Sequence, residues 1–327
     1  MLVNVLFELR VIGTTTHINF FESHKPSYLR FLQQSLLGLC LGLNSLFASA
    51  SEVVYNPNTN EQWSINDWLE LANKQNSVLS QTGYLLLGEE HNNPVHAQLF
   101  QKIASSPFFA ERQPNIVLQM LLESRRQDAE STIPAKWNKA IYQPILDSFD
   151  KASLEGASLN RSELKQLRTR SISTLTMIPQ FKTIAKIQPV VIDNINQDIR
   201  ATRSAINDQE TIQQLTRVYL GKDAKMAFEL FTSIQSSTQS NPLGILFADN
   251  YHVRKDRGVP IHLALLQHLP HRLQISEQHL DDTQYKQVTV VAMRAISLQA
   301  AQQQRKALAE QADYIILTAE HSAGAGH

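Results

Sequence analysis

Hydrophobic positions in this chain fall into short dense runs separated by long polar stretches. The first run, Tyr84-Leu85-Leu86-Leu87, stops at Gly88-Glu89-Glu90-His91-Asn92-Asn93. Ile116-Val117-Leu118 is the second and Val190-Val191-Ile192, ending at Asp193-Asn194, the third. Leu243 to Ala248 is the fourth, followed by Val288 to Val291 and Tyr314 to Leu317. Runs this short and this apolar read as strands buried on both faces. Helical patterns follow. After an Asn cap, Pro94 opens a helix whose inner stripe is Val95, Leu99 and Ile103. Residues 136–187 and 195–240 are polar, rich in Gln, Ser, Lys and Arg at helical spacing, and are expected to be helices. The Gln-rich stretch Gln299–Gln311 reads as a surface helix. This alternation predicts an α/β fold, a mostly parallel sheet flanked by helices with a small helical subdomain inserted within 136–240.

The first fifty residues carry a different pattern. Lys25 and Arg30 precede an apolar stretch from Phe31 through Leu46, and Ala48-Ser49-Ala50 supplies the small–x–small site of a signal peptidase. These are the three regions of a secretory signal in order, so residues 1–50 are expected to be removed on export. Residues 1–24 lie upstream of a normal signal start and are expected to be an untranslated extension. Lipid anchoring at Cys40 is disfavoured, because Leu39 stands where a lipobox wants a small residue. The mature protein would be 51–327, in the periplasm or associated with the outer membrane or cell surface.

Composition narrows the partners. Hydrophobic residues at 43% against 18% charged suffice for a globular core. Thirty Lys+Arg balance thirty Asp+Glu, which argues against nucleic acid as a partner. Cys40 is the only cysteine, which excludes intrachain disulfides, Cys-rich zinc sites and ferredoxin-type clusters. No nucleophile elbow and no phosphate-binding Gly-rich loop occur.

In open parallel sheets, ligands sit beyond the carboxyl ends of the strands. The expected strand ends place Glu89, Glu90 and His91 there, then Asp193, then Tyr251 and His252, with His96 early in the helix after the first strand. Glu90 suits the positive end of the following helix, and Asp193 suits either a strand end or a helix cap. His262, His268, His271 and His279 read as ordinary core or surface residues, and His321 and His327 as a loose tail. The spacing of five between His91 and His96 is not the four that sets two imidazoles on one helical face. A His–Glu–His set gathered from separate loops stays open.

Four segments resemble the ChaN-like family of haem-binding proteins, related to the Tiki and erythromycin-esterase-like proteins. They are LLLGEEHNNPVHAQLFQKI at 85–103, PVVIDNINQDIRATR at 189–203, GKDAKMA at 221–227 and LFADNYHVRKDRGVPIHL at 246–263. Gly88, Glu89, His91 and His96 fall on the first family motif, and His252, Gly258, Val259 and Pro260 on the second. The chain departs from the family pattern at Gln119, where a Glu is common, and at Asp249, Asn250 and Tyr251, where Gly residues are common. The resemblance implies haem as cofactor, surface exposure after export, a role in iron acquisition, and haem held by Tyr and His side chains between two subunits of a homodimer. The candidate cofactor-binding residues are Glu89, His91, His96, Tyr251 and His252, with haem iron held by His91, His252 or Tyr251. An outer-membrane haem receptor is the expected partner. The leading expectation is binding without turnover. Its rival is an esterase-like hydrolase, with or without a metal, using Glu89 and His91 as general base and orienting group. A third reading is a degenerate member that only contacts a haem receptor.

Overall fold

The computed structural model describes residues 52–74, 77–122, 133–134, 137–206, 208–268 and 286–319, together with two strands at 5–11 and 14–20. The chain divides into two units, Met1–Ser51 and Glu52–His327. In the first, β1 (Val5–Val11) and β2 (Thr14–Phe20) pair antiparallel. The expected export signal over 25–50, with Cys40, lies outside the described residues. Among the described residues no helix is long and apolar enough to cross a membrane.

The second unit is built on a sheet of β3 (Val53–Tyr55), β4 (Gln62–Ser64), β5 (Thr82–Glu89), β6 (Asn115–Leu122), β7 (Leu154–Ser158), β8 (Gly244–Asp249), β9 (Gln287–Arg294) and β10 (Tyr314–Leu317). The spatial order is β4-β3-β10-β9-β5-β8-β6-β7. Neighbours from β10 to β7 run parallel, and β3 and β4 form an antiparallel edge beside β10. The α/β class expected from the apolar runs is therefore the class observed. Every residue of β5 is buried, as a central parallel strand requires. Its side chains alternate: Leu85 and Leu87 join one core with Phe100, Phe247 and Trp68, whereas Tyr84 and Leu86 join the other with Leu230 and Leu263.

The helices used below are α1 (Pro94–Ala104), α2 (Lys139–Ser148), α3 (Arg161–Thr169), α4 (Pro189–Thr202), α5 (Gln209–Gln235), α6 (Asn250–Val253) and α7 (Val259–His268). A third core gathers Leu167, Phe181, Ile195, Ile199 and Leu220 from α3, α4, α5 and the 3-10 stretch Pro179–Lys186. Lys225 of α5 donates to Glu163 of α3 at 2.8 and 3.0 Å inside it, and Gln180 donates to the same carboxylate at 3.2 Å.

Two expectations are corrected. Val190-Val191-Ile192 is the start of α4, not a strand. Pro189 occupies the first helical turn, and Val191, Ile195 and Ile199 form a buried stripe at intervals of four, while Val190 is 59% exposed. A short apolar run has no periodicity of its own to separate the two readings. Asp193 therefore sits exposed on the face of α4 rather than at a strand end. Within 136–187, read as helix, Leu154–Ser158 forms the edge strand β7. Its sequence LEGAS offers no apolar run. It fits through Gly156, where an added Cβ would lie 2.1 Å from the Leu122 carbonyl oxygen.

Candidate functional site

The chain leaves β5 toward β6, past β8, and leaves β8 toward β9, past β5, so these connections run in opposite directions and pack their helices on opposite faces of the sheet. Such a switch point opens a crevice at the carboxyl ends. The register pairs Glu89 with Asp249 there. Gly88 permits this closeness, because a Cβ on it would meet Asn250 Oδ1 and Val253 Cγ2 at 2.5 Å. Gly258 serves the same corner, since its added Cβ would lie 2.0 Å from the His252 carbonyl oxygen.

Glu89 is fully buried. The Tyr142 hydroxyl, from α2, donates to its carboxylate, 2.8 and 3.0 Å from the two oxygens, and accepts the Asn92 N–H at 2.8 Å. Burial pushes the Glu89 carboxyl above its usual range, while hydrogen bonds from His91 and Tyr142 pull it back. Asn92 is left-handed at φ 59°, and its Oδ1 accepts the Asn138 N–H at 2.9 Å. The loop that carries His91 is thus pinned to α2. Asn93 then caps α1, its Oδ1 accepting from Val95 and His96 at 3.0 and 3.4 Å.

His91 leans out of this corner with 46% of its side chain exposed. Its Nδ1 lies 3.2 Å from Asp249 Oδ2 and 3.6 Å from Glu89 Oε1. Its ring rests on Trp137, centroids 4.3 Å apart. Two carboxylates on Nδ1 hold the proton there and leave Nε2 with the lone pair. The Gln119 amide oxygen accepts the Asp249 N–H at 2.7 Å. A neutral amide at this position fixes β6 to β8 without adding a third carboxylate beside Glu89 and Asp249.

The other sequence candidates behave differently. His252 is only 3% exposed, and its Nδ1 lies 2.6 Å from Asp223 Oδ1, on α5. Asp223 is fully buried, which raises its carboxyl well above the usual range, and its Oδ2 has no hydrogen-bond partner. Tyr251 packs on Tyr219, centroids 4.9 Å apart, with Arg257 6.0 Å from its ring. Its hydroxyl is closed to solvent and unpartnered, and burial raises its pKa. His96 faces inward. It is fully buried, its Nδ1 accepts the Glu90 N–H at 2.9 Å, and its Nε2 faces Thr318 Oγ1 at 3.1 Å. A ring with both nitrogens turned inward holds the loop in place and offers nothing to a ligand. Among the described residues no group of three or more His, Cys, Asp and Glu side chains is arranged to hold a free metal ion.

The structure thus brings Glu89, His91, Tyr251 and His252 to one rim, with His91 exposed, Tyr251 partly exposed but its hydroxyl shielded, and Glu89 and His252 buried. Sequence reasoning missed Tyr142, Trp137, Asp223 and the pairing role of Asp249. Tyr142 and Trp137 lie in a polar stretch with no link in spacing to His91. Asp223 was visible inside GKDAKMA but without a partner.

Residues 77–263 match the family described as "Haem-binding uptake, Tiki superfamily, ChaN". The solved structure of Campylobacter jejuni ChaN, described as showing cofacial haem binding, superposes with a TM-score of 0.54 at 16% identity. The match covers 82% of this chain and 97% of that one, and likeness at this identity bears on the fold alone. No curated protein sequence matches. With its matched segment spanning more than half of its length, including β5, β8 and the His91 corner, the chain belongs to the ChaN family of haem-binding uptake proteins within the Tiki superfamily.

Proposed function

We propose that this protein binds haem at the His91 corner, and that it is exported and serves iron acquisition. The observation that carries the reading is His91 itself. A half-exposed imidazole with Nδ1 turned onto carboxylates presents Nε2 outward, the arrangement found in metal-ligating histidines. The corner fits the macrocycle in a second way, because the buried Trp137 ring backs the imidazole and holds it in one orientation. Bound haem would supply a ferric centre needing axial ligands. The role of this chain is to hold the imidazole in one tautomer and keep its loop rigid. The shielded hydroxyl of Tyr251 and the burial of His252 against Asp223 make both poorer ligands than His91. Support for export comes from the charged, apolar and small-residue order of residues 25–50. A homodimer and an outer-membrane haem receptor complete the proposal.

Hemin titration of the 51–327 protein, followed by absorbance and size exclusion, tests it. A Soret band that saturates at micromolar hemin is expected. His91→Ala should weaken it about 10- to 100-fold, while His252→Ala leaves the band of the folded protein in place. No band in the unmodified protein would overturn the reading.

A further inference from the structure

Arg294 ends β9, one strand over from β5. Register pairs Gly88 with Ala292, which sets Arg294 level with Glu90. The Ala295 N–H donates to Glu90 Oε1 at 3.2 Å, so the residue after Arg294 is bonded to the residue before His91. Adjacent strands lie about 4.8 Å apart, which keeps Arg294 within the footprint of a macrocycle seated at His91.

Neighbouring cations of this rim have carboxylate partners. Arg254 donates to both oxygens of Asp256 at 2.9 and 2.7 Å. Arg257 pairs with Asp256 and Asp198. Lys255 pairs with Asp313 at 2.8 Å. Arg294 differs. Among the described residues no carboxylate comes within ion-pair distance of it, Glu90 and Asp249 acting on it only from farther off; its Nη2 reaches only the neutral Gln311 Oε1 at 3.3 Å, and its Nε is shielded from solvent with no hydrogen-bond partner. Guanidinium cannot shed its proton to relieve this. A shielded charge with an unused donor is costly unless an anion completes it. The planar fork suits a carboxylate.

We propose that Arg294 recognises a propionate carboxylate of haem held at His91. This rests on the haem reading above and adds a determinant of ligand choice to it. The test is Soret titration of the unmodified protein, Arg294→Gln and Arg294→Lys, each with hemin and with hemin dimethyl ester, in which the propionates are esterified. The unmodified protein should prefer hemin about 10- to 100-fold. Arg294→Gln should bind the ester as the unmodified protein does and lose the preference for hemin. Arg294→Lys should keep part of it, and it carries the test if Arg294→Gln does not fold. Equal weakening of both ligands in a folded variant, no weakening of either, or no preference in the unmodified protein overturns the assignment. An unmodified protein that binds neither ligand overturns the haem reading too, whereas one that binds hemin with no dependence on Arg294 overturns this assignment alone.

Discussion

Two aspartate–histidine pairs stand at the carboxyl ends of adjacent strands, and only one of them faces solvent. His91 and Asp249 sit 3.2 Å apart with 46% and 28% of their side chains exposed. His252 and Asp223 sit 2.6 Å apart with 4% and 0% exposed. In each the imidazole turns Nδ1 to a carboxylate, so the local chemistry is the same. Surroundings decide the use. An exposed pair contributes little to stability, because water screens it, and leaves the far nitrogen free for a ligand. A sealed pair is coupled strongly to the fold, because neither member can be solvated if the other is lost. The comparison separates a corner shaped for binding from a strut that fixes α6 against α5.

The largest effect should come from cutting the strut. Asp223→Ala strands a buried imidazole N–H and is expected to destabilise the protein by about 3–5 kcal/mol in chemical denaturation. Its hemin spectrum, measured on whatever fraction remains folded, should be unchanged. A loss below about 1 kcal/mol would mean that the buried pair is solvated in solution, and the contrast with His91 would dissolve.

His262 sharpens the same point by pH. It is fully buried on α7, its Nδ1 2.7 Å from Thr183 Oγ1 and its Nε2 unpartnered. Burial drives its pKa from 6.5 down to about 3. The unfolded chain therefore takes up a proton that the folded protein refuses. The stability this confers is complete above the ordinary value of 6.5 and is lost as pH falls from there toward 3. Between pH 6.5 and 5 the loss amounts to about 2 kcal/mol. Denaturation midpoints across that range should fall in the unmodified protein and fall less in His262→Gln. Parallel slopes would show that His262 is hydrated in the folded state.

Much of this was legible in the chain. Apolar runs located β5, β6, β8, β9 and β10, because strands buried on both faces leave no room for polar positions. Edge strands have weaker signatures: β3 and β4 are three residues each, and β7 is short and carries a Glu and a Gly. Glu89, His91, Tyr251 and His252 could be placed at the sheet's carboxyl edge because parallel strands gather their ends. Exposure was not readable in the same way. His96 and His91 both follow β5, yet one helical turn rotates the first into the interior. Nothing in the spacing distinguishes a loop position from the inner face of α1 until Thr318, 222 residues away, arrives beside it. Arg294 was equally hidden, as a strand-end cation gains meaning only from having no ion-paired carboxylate among the described residues.

The smallest effect on stability, and the finest probe of the comparison, is Asp249→Asn. Asp249 Oδ1 accepts the Tyr251 N–H at 2.7 Å and caps α6, a role that Asn retains. Oδ2, the atom facing His91, becomes an NH₂ group. Donor would then face donor across 3.2 Å, so the His91 proton should move from Nδ1 to Nε2. Stability should change by less than about 1 kcal/mol, because the pair is partly exposed and its interaction is screened. Hemin affinity should nevertheless fall about 10-fold, since the Nε2 proton must first return to Nδ1, against the introduced amide donor, before Nε2 can bind iron. The proton moves within the ring and none is released, so the loss should persist as pH is raised. An unchanged affinity would place the iron ligand elsewhere on the rim, with Tyr251 the residue to substitute next.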